Sequence, residues 1–216
     1  VEKAAALVSG HRGHITVVVT AIPQRRLNML PRALTSVAEQ WLAPMHIVVS
    51  MDLFAHGAAK TRDRGLDMVT TEYVAFLDDD DWFYPQHLHL LRDCLQREDA
   101  DLVYPWFDVE GGRDPFPPNF EFDPWDPLNP HQTTICFLAK TDVLREHGGF
   151  DADFTDEAED PGVDAQGNRS GEEFRLVCRI NEAGGRIVHL PERTFCWRHH
   201  PANSSGLASR VLWGGP

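Results

Sequence analysis

An α/β fold is what this sequence predicts: a mostly parallel central sheet flanked by helices, with a smaller mixed part at the C-terminal end. Three observations carry the prediction. Continuous β-branched and apolar runs recur at residues 14–20, 46–50 and 73–77, the pattern of strands covered on both faces. Segments with helical spacing of apolar residues separate these runs, and that alternation builds parallel sheets. The chain has 216 residues, 42% hydrophobic and 25% charged, enough for a single domain with a real core. That composition excludes whole-chain disorder and low-complexity architectures.

The elements follow in order. Residues 1–13 form a lead-in, partly helical, before the first strand at 14–20. A helix near Pro31 places Leu30, Leu34, Val37 and Trp41 on one face. A second buried strand at 46–50 ends at Asp52, and a helix spans 58–69. The third strand, 73–77, runs straight into four aspartates. Pro85 marks another helix start, with Leu88, Leu91 and Leu95 on its buried stripe, and residues 102–104 open a fourth strand.

The remainder is less regular. Residues 111–130 are proline-rich with Phe116, Phe120, Phe122 and Trp125 interleaved, so no central strand or helix fits there. Two readings stand open: a surface loop pinned by its aromatics, or one wall of a binding cleft. A strand is expected at 133–138, then a short helix capped by Thr141 and stopped by Gly148-Gly149. Residues 151–170 are acidic, contain glycines and have little to bury, which predicts a mobile loop. Ser170 opens a helix carrying Phe174, Leu176, Val177 and Ile180. Strands at 186–190 and 194–197 close the fold, and a Ser/Gly-rich tail after Asn203 is expected to fray. No internal repeat is present.

Charge narrows the function. Twenty Lys+Arg face 33 Asp+Glu, a net charge of −13 with His neutral. Such a surface repels phosphate backbones and argues against a dedicated nucleic-acid binder. An anionic substrate would need a local device, and a divalent cation is the simplest. No apolar run approaches the roughly 20 residues of a membrane span, and the N-terminal apolar stretch is too short for a signal peptide. Cys94, Cys136, Cys178 and Cys196 are scattered with no C-x-x-C pair. They read as small core residues of a protein in a reducing, cytoplasmic setting. Phosphate-loop, dinucleotide-fingerprint and nucleophile-elbow motifs are missing, which argues against kinases, dinucleotide oxidoreductases and serine hydrolases.

The chemistry-bearing residues cluster at predicted strand ends. Asp78-Asp-Asp-Asp81 follows a buried strand directly, at the sheet edge where open α/β proteins bind ligands. Packed carboxylates repel unless a cation joins them, and hard oxygen ligands select Mg²⁺ or Mn²⁺. Alternation along a strand puts Asp78 and Asp80 on one side. The plainer reading is a solvated acidic turn. Asp52 ends the neighbouring strand and suggests a polar pocket, or merely a turn start. Arg198-His199-His200 ends the last strand. Arg198 could pair with a phosphate and one of the two histidines, not both, could complete a metal shell. Glu172 and Glu173 are ambiguous. Ser170-Gly-Glu-Glu173 fits a capping box, yet a carboxylate beneath a loop could also act as a general base.

The order of these pieces resembles that of the family-2 glycosyltransferases, which have the GT-A (Rossmann-like) fold, over residues 15–205. The resemblance rests on Ile15-Thr-Val-Val-Val-Thr20, Leu30-Pro-Arg-Ala-Leu-Thr-Ser-Val-Ala-Glu-Gln40, His46-Ile-Val-Val-Ser-Met-Asp52 and Ala59-Lys-Thr-Arg-Asp-Arg-Gly65. It continues through the D-x-D-like Glu72-Tyr-Val-Ala-Phe-Leu-Asp-Asp-Asp-Asp-Trp82, Gly148-Gly-Phe-Asp151, Gly171-Glu-Glu173, residues 183–192 and Trp197-Arg-His-His200. It implies that Asp52 contacts the nucleotide base, most often uracil, and that Arg62 packs near the nucleotide. Thr20 opens the turn that carries base and ribose contacts. Asp78 faces the ribose and shares the metal, Asp79 is the variable middle position, Asp80 binds the metal, and Asp81 orients the loop. Glu173, with Glu172 beside it, takes the place of the acceptor-activating base, and His200 reaches the metal or diphosphate. The sequence departs from the family at Thr20-Ala-Ile-Pro23, at Asp63 where Asn is usual, and at Glu173 where Asp is usual. The loop at 151–170 is also longer.

The expectation is a single GT-A domain. Residues of about 14–110 would bind the nucleotide sugar, and about 111–205 would bind acceptor and carry the base. The expected activity is a metal-dependent, inverting transfer from a UDP-sugar to an acceptor hydroxyl, with Mn²⁺ or Mg²⁺. The acceptor, whether glycan, protein, lipid or small molecule, is left open. Two alternatives remain at this point: a sugar-phosphate nucleotidyltransferase, although residues 20–27 lack the glycine-rich loop such enzymes use, and a non-catalytic nucleotide- or glycan-binding module.

Overall fold

The computed structural model describes residues 13–112, 134–150 and 171–200. Most of the proline-rich stretch, the acidic stretch 151–170, the lead-in and the tail lie outside them. The described strands are β1 Ile15–Ala21, β2 His46–Met51, β3 Tyr73–Asp78, β4 Trp82–Phe83, β5 Leu102–Glu110, β6 Leu138–Lys140 and β7 Ile187–Arg198. The helices are α1 Leu30–Ala38, α2 Ala58–Asp67, α3 His87–Arg97, α4 Thr141–Glu146 and α5 Glu172–Glu182. The strands make one sheet in the order β2-β1-β3-β6-β5-β7-β4. The long ladders, β1 with β2, β1 with β3 and β5 with β7, are parallel, and the short ones through β6 and β4 are antiparallel. The mostly parallel α/β sheet is therefore as expected.

Strand β1 lies inside the sheet with Val17, Val18 and Val19 fully buried. Successive strand residues point to opposite faces, so both faces are covered. Helix α2 reaches β1 very closely at Gly65, where an added Cβ would stand 2.3 Å from Val18 Cγ1. A three-ring cluster of Phe76, Phe137 and Phe150 fills the core near β3, with Phe76 and Phe150 centroids 4.8 Å apart. Cys94, Cys136 and Cys196 are buried free thiols in that core and Cys178 is half-buried. Among the described residues no helix is long and apolar enough to cross a membrane.

Several local expectations are corrected. Strand β2 is an edge strand, not a buried one. It pairs with β1 alone, and Ile47 and Val49 stand 42% and 41% exposed. A β-branched run carries no information about which strand comes last in the sheet. Trp41 is exposed because α1 ends at Ala38 and the chain turns away, the Trp41 N–H bonding Pro85 O at 2.8 Å. The strand expected at 133–138 begins only at Leu138; Ile135, Cys136 and Phe137 are buried in a turn whose Phe137 N–H bonds Ile135 O at 2.8 Å. Burial, not ladder pairing, accounts for their apolar pattern. Thr141 is the first residue of α4 and Lys140 holds the cap position without a side-chain bond.

The last two strands are one. β7 runs beside β5, and the register shifts on both sides of Trp106. Pro105 has no N–H to give that ladder and Pro191 interrupts the other strand, so bulges absorb the misfit. The short strand β4, which no periodicity signalled, pairs with β7 at Phe195 and Cys196. His87 locks this corner. It is fully buried, stacks on Phe83 at 3.8 Å and meets Thr194 Oγ1 at 2.7 Å. Burial lowers its pKa to about 3, so the ring stays neutral.

Candidate active site

Parallel pairing brings the ends of β1, β2 and β3 to one edge of the sheet. Thr20 is in register with Ser50 on one side and Asp78 on the other. The Thr20 hydroxyl donates to Asp78 Oδ1 at 2.5 Å. Asp52, just past β2, gives its N–H to Ala21 O and accepts from the His56 and Gly57 N–H groups, each at 2.9 Å. Burial pushes its carboxyl up, but those two donors and Arg64 outweigh it and leave the pKa lowered. Asp52 thereby shapes the turn into α2 at the same edge.

Beyond Asp78 the chain leaves the strand. Asp81 N–H bonds Asp78 O at 3.2 Å, a tight turn over residues 78–81. This turn, rather than strand alternation, sets the positions of the four carboxylates. Asp78, Asp80 and Asp81 each offer an oxygen within 4.8 Å of the others. Asp79 faces elsewhere: its Oδ2 accepts the Ile22 N–H at 2.9 Å and its Oδ1 accepts from Arg25 at 3.1 Å. Burial raises the Asp79 pKa against those donors. Asp81 is pushed well above the ordinary carboxylate range, first by burial and then by Asp80 and Asp78, although the Arg198 N–H donates to it at 2.8 Å.

Two cations reach this turn from different elements. Arg62, on α2 and only 5% exposed, bonds both oxygens of Asp78, at 2.9 and 3.0 Å, and also Glu172. Burial works against its charge, but Asp78, Glu172 and Glu173 hold its pKa above the ordinary value. Arg25, in the 3-10 turn Pro23–Arg25 after β1, lies 2.6 Å from Asp80 and 3.1 Å from Asp79. The sequence reading passed over Arg25. Its only signal there is a basic pair in the first strand's exit loop, and nothing in that pair says which arginine turns inward.

Helix α5 brings the glutamates. Gly171, not Ser170, caps it, with extended backbone and no side-chain cap bond, so Glu172 and Glu173 are its first two residues. The capping-box arrangement with Glu173 at the third position is therefore not adopted. Glu172 is committed to Arg62. The Glu173 carboxylate folds over Gly171, where a Cβ would collide with it. Desolvation, then the Glu172 charge, pushes its pKa up to about 7, with Arg62 pulling the other way.

The end of β7 closes the turn. His200 Nε2 lies 2.9 Å from Asp80 Oδ2, while His199 Nδ1 turns to Gly111 O at 3.3 Å. The alternation expected of the two histidines is thus present. Arg198 contributes its N–H to Asp81 and its side chain to Glu110, at 3.6 Å. Thr20, Arg62, Asp78, Asp80, Asp81, Glu172 and His200 are brought together through these bonds. Asp52 stands two strands from Asp78 on the same edge, with its oxygens already occupied.

The sequence model "Glycosyl transferase family 2" matches residues 54–148. That segment contains Arg62 and the aspartate turn and stops short of the glutamates. No curated protein matches the chain significantly. Among solved structures, S. aureus TarS 1-349 in complex with UDP-GlcNAc superposes with a TM-score of 0.67 at 16% identity, over 88% of this chain and 60% of that one. The same protein in complex with UDP gives 0.65 at 15% identity, over 87% and 61%. The chain thus spans about 60% of the length of these TarS 1-349 structures, and at such identities the likeness is one of fold. Residues 54–148 thus match the sequence pattern of the family-2 glycosyltransferases, and the fold that carries them is shared with the TarS structures.

Proposed function

We propose that the chain transfers a sugar from a nucleoside-diphosphate donor, a UDP-sugar, to an acceptor hydroxyl with inversion at the anomeric carbon. The observation that carries this reading is the carboxylate triad of Asp78, Asp80 and Asp81 at the end of β3, joined through Arg62 to Glu172 at the start of α5. The UDP-GlcNAc and UDP complexes of the TarS structures support the choice of nucleotide.

The donor set fits Mn²⁺ or Mg²⁺. Three hard oxygens converge, Asp81 is held high by burial beside its like-charged neighbours, and the chain carries −13 overall. Asp78, Asp80 and Asp81 would hold the cation, with His200 beside Asp80 as a further ligand. Bound there, it would neutralise the charge of the departing diphosphate. Arg62 fixes Asp78 and Glu172 relative to each other. Thr20, Asp52 and Asp79 shape the nucleotide side, and Arg198 supports the turn through Asp81.

Glu173 is the general base. Its partner Glu172 is occupied by Arg62, while Glu173, with a pKa pushed up to about 7, is matched to accepting a hydroxyl proton near neutrality. Direct displacement needs one base and no carboxylate nucleophile, which is why inversion follows. On this reading residues up to about 110 hold the donor, and the later ones bind the acceptor and carry the base. Free cysteines suit a reducing, cytoplasmic compartment.

The test is release of UDP from UDP-sugars in Mn²⁺, with and without candidate acceptors. Acceptor-stimulated release supports transfer. Pyrophosphate-dependent formation of UTP would point to nucleotidyl transfer, and tight binding without turnover to a binding module.

A further inference from the structure

We propose that Arg25 is a built-in counter-ion of the aspartate turn: it holds Asp80 while no divalent cation is bound, yields that carboxylate to the cation, and then faces the donor's diphosphate. The inference rests on the metal-dependent donor site proposed above. Arg25 Nη1 lies 2.6 Å from Asp80 Oδ2, and His200 Nε2 lies 2.9 Å from the same oxygen. That oxygen of Asp80 is therefore already engaged. A cation that takes it must displace a guanidinium, not just water.

The attachment of Arg25 is asymmetric. Asp79, 2% exposed, grips the same turn twice, through the Ile22 N–H at 2.9 Å and through Arg25 Nη1 at 3.1 Å. Losing Asp80 therefore leaves Arg25 tethered at the mouth of the site. A divalent ion on Asp80 repels the guanidinium from that oxygen, and Asp79 prevents it from leaving. Its planar fork is a shape that matches phosphate oxygens. Arg25 then couples the two ligands: metal alone must overcome the ion pair, whereas metal with diphosphate gives Arg25 a new anion. Without Arg25 the three close carboxylates would repel one another in the metal-free protein.

The experiment measures Mn²⁺ affinity from the free-ion paramagnetic resonance signal, with and without UDP, for the wild type, Arg25→Gln and Arg25→Lys. Without UDP, Arg25→Gln is expected to bind Mn²⁺ at least about 5-fold more tightly, the low end of coupling between sites, and to melt lower in EDTA. UDP should tighten Mn²⁺ binding less in this variant than in the wild type. Arg25→Lys, keeping the charge, should stay near the wild type. Equal or weaker Mn²⁺ affinity in Arg25→Gln, with the wild type still binding UDP in a metal-dependent way, overturns this inference alone. A wild type whose UDP binding ignores Mn²⁺ overturns the donor-site reading beneath it. Should Arg25→Gln fail to fold, the Arg25 Nε–H resonance of the wild type decides. It must shift on adding Mg²⁺ alone, and an unmoved signal refutes the exchange.

Discussion

A single nitrogen of Arg62 bonds both carboxylate oxygens of Asp78, at 2.9 and 3.0 Å, while the other terminal nitrogen reaches Glu172. One buried guanidinium therefore sets the separation between the strand end that carries the aspartate turn and the helix that carries Glu172 and Glu173. Its Nε has no partner among the described residues. Its side-chain hydrogen bonds go to Asp78 and Glu172, and its guanidinium also lies over the Phe150 ring, 5.8 Å from the centroid.

Removing one carboxylate of the triad tests the proposed metal role directly. Asp80→Ala is expected to abolish the Mn²⁺ dependence of UDP binding and to weaken that binding towards the level of the wild type in EDTA. Titration calorimetry in Mn²⁺ and in EDTA reads both. Equal UDP affinity of the wild type in the two conditions rules the metal role out.

The base role proposed for Glu173 gives a pH signature. Glu173 must be ionised to accept a proton, and its pKa is pushed up to about 7. Turnover should therefore rise with pH through about 7 and level off above it. Glu173→Gln should keep donor binding, lose that rising limb, and lower turnover by at least ~100-fold, the low end of general-base contributions. Near-normal turnover in this variant would return Glu173 to a purely structural role.

His87 predicts how stability responds to acid. Its pKa is near 6.5 when unfolded and lowered to about 3 in the fold. Between these values the unfolded chain binds the extra proton, so stability falls as pH drops below about 6.5. The slope approaches about 1.4 kcal/mol per pH unit for one proton. His87→Phe, which keeps the stack on Phe83, should flatten the dependence between pH 6.5 and 5, where ordinary carboxylates stay ionised. Urea melts at several pH values decide, and parallel slopes for the two proteins would count against it.

Close packing of α2 on β1 makes a stability prediction independent of chemistry. Gly65→Ala places a Cβ 2.3 Å from Val18 Cγ1 and should cost about 1–3 kcal/mol, as overpacking does. Val18→Ala combined with it should recover part of the loss. A thermal melt of Gly65→Ala that matches the wild type would show that the helix can lift off without penalty.

Much of the fold is legible in the sequence. The runs at 14–20 and 73–77 became β1 and β3 because continuous apolar character reports burial on both faces. The aspartates were legible because a charged run directly after such a strand has no packing role. What stayed hidden depends on neighbours distant in sequence. The edge position of β2, the exposure of Trp41 and the two-residue β4 are set by which strands pair. Asp81 was expected only to orient its loop, since strand alternation misplaces residues that sit in a turn. Arg25 was invisible because Arg25 and Arg26 are chemically identical, and only the pitch of the Pro23–Arg25 turn selects between them.

The hydrogen bond from Arg198 to Asp81 spans 117 positions, and that from His200 to Asp80 spans 120. A ribosome therefore delivers the aspartate turn long before the strand that closes it. Contacts of such high sequence separation form late, because the long loop between them must first be closed. Until β7 docks, the nascent chain holds its acids without two of their partners, and any product cut short before residue 187 lacks them altogether. Closure of the acidic turn is thereby deferred until residue 200 has been made, and a copy that stops earlier carries that turn open.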